Sequence, residues 1–358
     1  MKLAKKDLAI LLTAAGRAPS GGNIQPWLVE VENNQLTVHL NPQKFGTVLD
    51  ANNYGSLFSL GAFSLNLEIA SSHLGLKYHR TLHQTNSPNE FHVTYTYEQK
   101  VIPQSNPLFK AVLARDTNRH LHEGKILPES VIKAVSMPAL QSYPYFRLDS
   151  VSTSPGRDEM ANILGKADMI RTKNTVLCKQ MLSEIRWTNK DTQATKDGID
   201  IKTMELPGNV GKMLQLLSKF ASLAKNVPDI ALEKQAWPML KFSSHVCVLS
   251  FKGQPTPLNF FEAGYVMEHL WLEATHRHLA VHPWTVLSFF AIRAKYFSGS
   301  FFSPNEEKLL LETDKRLRKL IALPSTFTPA FIFRISVAKS PSTRSLRYDW
   351  QKYTTIHS

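Results

Sequence analysis

The segment between residues 17 and 27 is dense in turn formers and small polar side chains, in the order RAPSGGNIQPW. Two consecutive glycines allow a backbone to lie close against a flat ligand, because no Cβ atom stands in the way. Ser20, Asn23 and Gln25 add hydrogen-bonding groups suited to the edge of a planar ring or to a polyol chain. A plain turn before a strand is the alternative interpretation of the same residues. We predict a loop shaped for a planar ligand, with contacts from Arg17, Pro19, Ser20, Gly21, Asn23 and Gln25.

A second polar group, Arg115-Asp116-Thr117-Asn118-Arg119, has the composition of a phosphate clamp. The guanidinium groups of Arg115 and Arg119 and the hydroxyl of Thr117 can bind a phosphate through charge-assisted hydrogen bonds. Asp116 lies between them and carries the wrong charge for a complete clamp. We predict an anion site to which Arg115, Thr117 and Arg119 contribute.

A third basic group, Arg344-Ser345-Leu346-Arg347, lies near the C-terminal end of the sequence. It follows a predicted strand at residues 330–335, and we predict that Arg344 and Arg347 contribute to the anion site. A solvated basic tail is the alternative, because charge runs usually face water.

Composition excludes several functional classes. The 358 residues are 43% hydrophobic and 20% charged, as in ordinary globular proteins, and no apolar run is long enough to span a bilayer. The formal charge of +13 is spread along the chain, so we expect no nucleic-acid partner and a basic surface that collects anionic small molecules. The helical spacing of Leu8, Leu11 and Leu12 favours a first helix over an export signal.

Cysteine and histidine spacing points away from disulfides and metals. Cys178 and Cys247 are far apart and match no metal or redox motif, which indicates a reducing, cytoplasmic compartment. His276 and His278 are two positions apart and point to different faces of a helix, so we expect no bound metal. The sequence has no Gly-x-Gly-x-x-Gly segment, which argues against a Rossmann domain.

Hydrophobic patterns outline the elements that must position these groups. The first third predicts a helix ending near Gly16, then a strand hairpin, a buried helix and two more strands, at residues 27–31, 36–40, 54–74, 76–79 and 91–97. Short helices flank the second polar group, at residues 106–114 and 128–135. The last third predicts a strand, two helices and a strand, at residues 245–251, 259–274, 306–321 and 330–335.

The middle of the chain, roughly residues 160–238, predicts a helical insert with an irregular part at 197–200. Its amphipathic stretch 213–224 is expected to pack on the core, and a lid over a ligand is the alternative. Gly61 and Gly264 lie in two similar helices, each followed by a His-Leu pair, which suggests an internal duplication. The chain is long enough for two domains or one fused, double-sized fold.

Two of these motifs resemble segments of the nitroreductase family. Residues 18–27 are similar to its flavin-contacting loop, and residues 115–119 to its Arg-Arg-Ser-x-Arg phosphate segment, with Asp116 for the second arginine and Thr117 for the serine. In ordinary members the phosphate segment comes first in the chain, whereas here the order is reversed. This reversal, with the double length, resembles the Acg-type branch, in which one chain carries two related halves.

The resemblance implies an α+β protein with a nitroreductase-like fold, in which mixed sheets are flanked by helices and one chain forms a pseudo-dimer. Residues 1–100 would be the N-terminal half with the ring loop, and residues 101–358 the C-terminal half with the phosphate segment and the insert. It implies one flavin mononucleotide (FMN) per chain and a monomer or homodimer. Pro283 and Trp284 would lie over the ring, although Trp284 could equally be a core aromatic.

The implied activity is that of an FMN-dependent oxidoreductase, which takes hydride from NADH or NADPH and reduces a nitroaromatic, a quinone or a related small-molecule acceptor. No catalytic side chain is assigned, because the cofactor performs the chemistry. The alternative is a flavin-storing protein whose insert covers the bound ring. Both would bind FMN, but only the enzyme would let NAD(P)H reduce it.

Overall fold

Two long helices pack against each other at the centre of a computed structural model of the chain, and each also packs against one β-sheet. The structure describes residues 3–44, 47, 49–84, 87–103, 105–121, 124–206, 208–234, 236–297 and 301–357. Helices and strands do not alternate regularly along the sequence, so the fold class is α+β, as predicted.

The elements are numbered in chain order. The helices are α1 (Lys5–Ala15), α2 (Tyr54–Leu74), α3 (Pro107–Ala114), α4 (Glu129–Ser142), α5 (Ser154–Lys173), α6 (Thr175–Ser183), α7 (Asn189–Thr195), α8 (Gly208–Lys219), α9 (Asp229–Glu233), α10 (Trp237–Lys241), α11 (Pro257–His276), α12 (Val286–Tyr296) and α13 (Pro304–Leu320). The strands are β1 (Trp27–Glu32), β2 (Gln35–Leu40), β3 (Leu76–His83), β4 (His92–Lys100), β5 (Phe146–Val151), β6 (Ile185–Arg186), β7 (Ile199–Asp200), β8 (His245–Lys252), β9 (Ala280–Pro283), β10 (Phe327–Ser336) and β11 (Thr354–His357).

The first sheet has the strand order β11-β1-β2-β4-β3. The pairs formed among strands β1 to β4 are antiparallel. The remaining strand, β11, lies parallel to β1, with Val29 opposite Thr354. The sheet is therefore mixed, as expected. Its edge strand β11 comes from the far end of the sequence, and it covers backbone groups of β1 that would otherwise be exposed.

The second sheet has the order β5-β8-β10-β9, and all its neighbours are antiparallel. This order repeats that of β1-β2-β4-β3 in the first sheet. In each sheet a long helix connects two strands of this series: α2 connects β2 to β3, and α11 connects β8 to β9. The two sheets therefore share one topology.

Helices α2 and α11 cross at two glycines, Gly61 and Gly264. A Cβ atom on Gly61 would lie 1.8 Å from the carbonyl oxygen of Phe261, and one on Gly264 would lie 1.7 Å from that of Phe58. Each glycine thus meets the residue three positions before the other glycine. Contacts of this reciprocal kind are characteristic of a two-fold relationship between elements.

Local sequence explains why α2 begins and ends where it does. The carboxylate of Asp50 accepts hydrogen bonds from the backbone amides of Gly55 and Ser56, which satisfies the first turn. Gly75 ends the helix with a left-handed φ of 69°, a conformation that glycine adopts without steric cost.

The insert packs on the outer side of the second sheet, where α5 contacts α9, α10, α12 and α13. A smaller cluster, formed by Cys178, Leu182, Ile185, Leu217 and Ala224, joins α6 to α8 and to the following 3-10 turn. The stretch 197–200, predicted to be irregular, contains β7, which pairs in parallel with β6.

Most predicted elements are confirmed, and the differences lie at their ends. The helix at 54–74 has the predicted bounds. The strand predicted at 76–79 continues to His83, because Arg80 occupies a half-buried position where the alternating pattern calls for an apolar residue. The helix predicted at 128–135 continues through Pro138 to Ser142, since the buried Val135 and Ala139 keep its inner face packed. Within the described ranges, every helix is too short or too polar to cross a bilayer.

Candidate functional site

The polar loop after α1 is held in a specific shape by left-handed backbone conformations. Gly22, Asn23 and Gln25 have φ values of 57°, 55° and 53°. The hydroxyl of Ser20 accepts a hydrogen bond of 3.0 Å from the backbone amide of Gln25, which closes the loop on itself. A Cβ atom on Gly22 would lie 2.9 Å from the Glu184 carboxylate, so a larger residue at this position would push that side chain aside.

A cavity of about 270 Å³ lies beside this loop, between α2, α11, α12 and the insert. Six of the predicted site residues line it: Pro19, Ser20, Gly21, Thr117, Arg119 and Pro283. The rest of its wall combines apolar side chains with four ionisable groups contributed by Asp50, Arg171, Glu184 and His282. Apolar walls with a few polar groups are typical of small-molecule sites.

Arg119 reaches this cavity from the second polar group. Its guanidinium donates a 3.0 Å hydrogen bond to the carbonyl oxygen of Thr203 in the insert. Burial lowers the pKa of Arg119 to about 10, because a charge is less stable away from water. Arg119 stays cationic near neutral pH and can bind a partial negative charge on a ligand.

Four arginines meet in what we call the arginine cluster: Arg17, Arg115, Arg344 and Arg347. Three of them, Arg17, Arg344 and Arg347, line a second cavity of about 560 Å³. The cluster adjoins the first cavity through Arg115, which lies over the ring of the wall residue Trp271. Arg115 donates to the carbonyl oxygen of Arg17 at 2.6 Å, and Arg344 donates to that of Arg115 at 3.0 Å. Arg347 lies within 3.5 Å of the Ala18 carbonyl oxygen. Segments far apart in sequence are thereby brought together.

The charges of the arginine cluster are incompletely balanced. Burial, and then repulsion from Arg115, lowers the pKa of Arg17 to about 10 and lowers that of Arg347 as well. The Nε atoms of Arg17 and Arg347 are buried and have no hydrogen-bond partner among the described residues. Two carboxylates, Glu268 and Asp116, oppose four guanidinium groups. Such a surplus of buried positive charge is suited to an anion.

Glu268, which the sequence analysis did not select, anchors the cluster. Its Oε1 atom lies 3.2 Å from Nε of Arg115 and accepts a 3.0 Å hydrogen bond from Asn66 of α2. Burial raises the pKa of Glu268 to about 7, although Arg115 acts against this shift. Arg115 also lies over the ring of Trp271, 4.6 Å from its centroid. The sequence gives little signal for this role, because Glu268 is one of three glutamates in α11.

Asn23 and Gln25 are not among the described residues that line the cavity. Asn23 donates to the carbonyl oxygens of Gly198 and Leu346, both at 3.1 Å. Gln25 donates to that of Lys196 at 2.9 Å and accepts from the backbone amide of Tyr348 at 2.9 Å. These two side chains join the loop to the insert and to the C-terminal segment.

Trp284 packs with the cluster of apolar residues between α5 and the second sheet, while its neighbour Pro283 lines the cavity. The indole of Trp284 donates a 2.7 Å hydrogen bond to Asp168 of α5. Burial raises the pKa of Asp168 to about 6. Of the two interpretations left open for Trp284, the core position agrees with this packing.

A polar network, which we call the insert latch, holds the insert over the loop. Asp197 accepts hydrogen bonds from Arg186 at 2.6 Å, Tyr348 at 2.5 Å and Lys44 at 3.1 Å. Burial acts to raise the pKa of Asp197, but these hydrogen bonds outweigh it and hold that pKa at about 2. Lys44 also donates to the Ile24 carbonyl oxygen, which ties the latch to the loop.

Comparisons with known proteins give distant similarities. No protein-family model matches the sequence. An uncharacterized protein of Mycobacterium tuberculosis is 29% identical over 349 residues, which are 94% of this chain and 47% of that protein. The chain therefore spans about half the length of the curated relative it matches.

Three solved structures illustrate the structural similarities. The FMN-dependent nitroreductase NfnB from Mycobacterium smegmatis in complex with NADPH is 13% identical, covers 70% of this chain and 98% of its own, and has a TM-score of 0.40. Iodotyrosine deiodinase bound to FMN and 3-iodo-L-tyrosine is 11% identical, covers 67% and 95%, and has a TM-score of 0.39. A nitroreductase with bound FMN from Desulfitobacterium hafniense DCB-2 is 12% identical, covers 71% and 100%, and has a TM-score of 0.37.

Proposed function

We propose that this protein is an FMN-dependent oxidoreductase of the nitroreductase type, which takes hydride from NAD(P)H and passes electrons to a nitroaromatic, a quinone or a related acceptor. The observation that carries this proposal is the arginine cluster beside a largely apolar cavity. A flat ring joined to one phosphate needs both features at once. The loop motif that resembles the family's flavin-contacting segment contributes five residues to the cavity wall, Pro19, Ser20, Gly21, Gly22 and Ile24.

The residues present fit FMN by their chemistry. Buried Nε atoms of Arg17 and Arg347 lack protein partners in the described ranges, and a phosphate would supply oxygen acceptors for them. Arg115 and Arg344 complete this basic end. Pro19, Ser20, Gly21, Thr117, Arg119 and Pro283 would hold the ring and the ribityl chain, as lining residues of the cavity. Gln25 would hold the loop in shape, since both ends of its amide are bonded elsewhere. Asn23 would do so through its amide nitrogen, whereas its buried Oδ1 has no partner among the described residues and could accept a hydrogen bond from the ligand.

When bound, FMN supplies the hydride and electron chemistry. The overall reaction balances as one NAD(P)H and one proton for each two-electron reduction, for example of a quinone to a hydroquinone. The chain itself has three tasks: binding the phosphate, orienting the ring and excluding water from the reacting face. No side chain is required to transfer a proton, so we assign no acid or base.

We also propose that residues 1–100 and 101–358 are two related halves that form a pseudo-dimer. The shared strand order of the two sheets supports this, as does the reciprocal contact of Gly61 and Gly264. One chain would then bind one FMN, as a monomer or as a homodimer of such chains. The free, buried thiols of Cys178 and Cys247 support a reducing compartment, which we take to be the cytoplasm.

Flavin storage is the second candidate, and the insert latch favours it. The insert contributes Arg171, Glu184 and Ile199 to the cavity wall, and the latch holds it against the loop. A cover of this kind could keep NAD(P)H away from a bound ring.

One experiment separates the two functions. The purified protein is loaded with FMN and mixed with NADPH or NADH without oxygen, while absorbance near the flavin maximum is followed. For the oxidoreductase we expect the flavin absorbance to fall promptly and to be restored when a quinone is added. An unchanged spectrum would support storage, and failure to retain FMN after gel filtration would overturn both candidates.

A further inference from the structure

The insert places one arginine, Arg171, in the wall of the cavity. Arg171 lies in the last turn of α5, and Glu184 follows α6, so both reach the cavity from the insert rather than from the two sheets. The sequence analysis assigned no role to Arg171. Within the oxidoreductase proposed above, on which this inference rests, the insert side is where an acceptor can approach a ring held by the loop.

The guanidinium of Arg171 keeps hydrogen-bonding capacity. It lies 3.8 Å from the Glu184 carboxylate, which is too long for a hydrogen bond. Its Nε atom is buried without a partner among the described residues, and its side chain is 19% exposed. Burial raises the pKa of Glu184, and the charge of Arg171 acts against this shift.

Other arginines near the cavity are engaged. Arg119 donates to the Thr203 carbonyl oxygen. Arg186 donates to Thr195 at 3.0 Å and to Asp197 at 2.6 Å. Arg171 is therefore the guanidinium of the described cavity wall that is best able to bind a ligand.

The surroundings of Arg171 add a second requirement, which is a flat apolar body. The side chains of Leu49, Phe58, Val286, Phe289 and Phe331 line the same cavity. Aromatic rings pack well against such walls, and a guanidinium binds a carboxylate through two parallel hydrogen bonds. We infer that the acceptor is an aromatic acid, whose ring packs in the apolar part of the cavity and whose carboxylate binds Arg171.

The test compares two acceptors of equal shape, para-nitrobenzoate and para-nitrobenzamide, with FMN-loaded protein. We expect kcat/KM to favour the acid by about tenfold or more, since the second acceptor lacks the charge. Arg171→Met should remove this preference by raising KM for the acid about 10- to 100-fold, with kcat less affected. Arg171→Lys should keep part of it, because the ammonium retains the charge without the planar fork. Arg316→Met, which alters a surface arginine paired with Glu159, is the matched control.

A binding measurement makes the result independent of turnover. Titration calorimetry of the oxidised, FMN-loaded protein should show that benzoate binds, that benzamide binds more weakly, and that Arg171→Met loses the difference. Equal binding of the two ligands by the parent protein, or an unchanged preference in Arg171→Met, would overturn the inference. If NAD(P)H leaves the flavin oxidised, the oxidoreductase proposal fails, while the benzoate titration still decides the role of Arg171. Retained FMN and an unchanged melting temperature identify a folded variant.

Discussion

Arg115 and Glu268 form an ion pair of 3.2 Å in the protein interior, where their side chains are 1% and 0% exposed. Arg115 belongs to the predicted phosphate segment, and Glu268 belongs to the central helix α11. The pair therefore links the arginine cluster to the centre of the fold. Removal of Glu268 leaves the guanidinium of Arg115 buried without its carboxylate partner.

We expect Glu268→Ala to lower the free energy of unfolding by about 3–5 kcal/mol, the usual effect of breaking a buried ion pair. Urea denaturation of the FMN-free protein measures this value. The control is Glu159→Ala, which breaks the exposed pair with Arg316 and should cost less than about 1 kcal/mol. Similar losses of unfolding free energy in the two variants would show that the buried pair stabilises the protein no more than an exposed pair.

The pKa of Glu268, raised by burial to about 7, predicts a pH dependence of stability. Because the folded state binds this proton more tightly than the unfolded state, the contribution is fully present below the ordinary glutamate pKa. It is lost as the pH rises through about 7. Melting temperatures measured from about pH 5 to pH 8 should fall with rising pH. Glu268→Gln removes the titrating group, so its curve should be flatter, and parallel curves would contradict this assignment.

Arg347 tests the proposed phosphate site. We expect Arg347→Gln to weaken FMN binding about 10- to 100-fold, because a charge-assisted hydrogen bond to the phosphate is lost. Riboflavin, which lacks the phosphate, should bind the parent and the variant equally, as measured by quenching of flavin fluorescence. The FMN-free variant should be no less stable, because repulsion from Arg115 and Arg17 is relieved. Equal losses for FMN and riboflavin would place the phosphate elsewhere.

Because α2 and α11 cross closely at Gly61 and Gly264, a methyl group added at either glycine should strongly destabilise the protein. Gly61→Ala and Gly264→Ala each place a carbon within 2 Å of a backbone oxygen, so α2 and α11 must separate. We expect a loss of about 3 kcal/mol or more in the free energy of unfolding, measured with urea. Gly211→Ala, in α8 and with open space around it, is the control and should raise stability by about 0.5–1 kcal/mol. Tolerance of both core substitutions would contradict the close crossing.

The insert latch depends on Asp197, so its substitution should change amide hydrogen exchange in the insert and not elsewhere. Asp197→Asn removes the charge that Lys44 and Arg186 share, so amide hydrogen exchange should increase in residues 184–204 and stay unchanged in α2. Since the folded-state pKa of Asp197 is lowered to about 2, its stabilising effect is present above its ordinary pKa and is lost as the pH falls towards 2. Exchange that increases equally throughout the chain would indicate global destabilisation instead.

The sequence predicted elements well where local patterns determine them. Helix α2 is defined by its apolar run and by Gly75, and strands β1 and β2 by alternation on either side of a turn. The grouping of Arg115 and Arg347 was predicted from the resemblance to the nitroreductase family, and composition alone did not determine it.

Contacts between distant segments could not be predicted. The amide of Asn23 meets Leu346, 323 positions away, and Gln25 meets Lys196, 171 positions away. A polar side chain in a loop has many possible partners, and spacing does not select among them. Glu268 and Arg171 were missed for a related reason. Each lies on a helix, where a charged residue usually faces water, and spacing does not show which of them is buried.

The parallel pairing of β11 with β1 has a consequence for synthesis of the chain. Val29 finds its partner Thr354 only after on the order of 300 further residues have left the ribosome. Until then β1 presents an open edge, which is a template for association with other nascent chains. A chaperone that shields extended segments would therefore raise the yield of this protein more than it would for a chain whose strands pair with near neighbours.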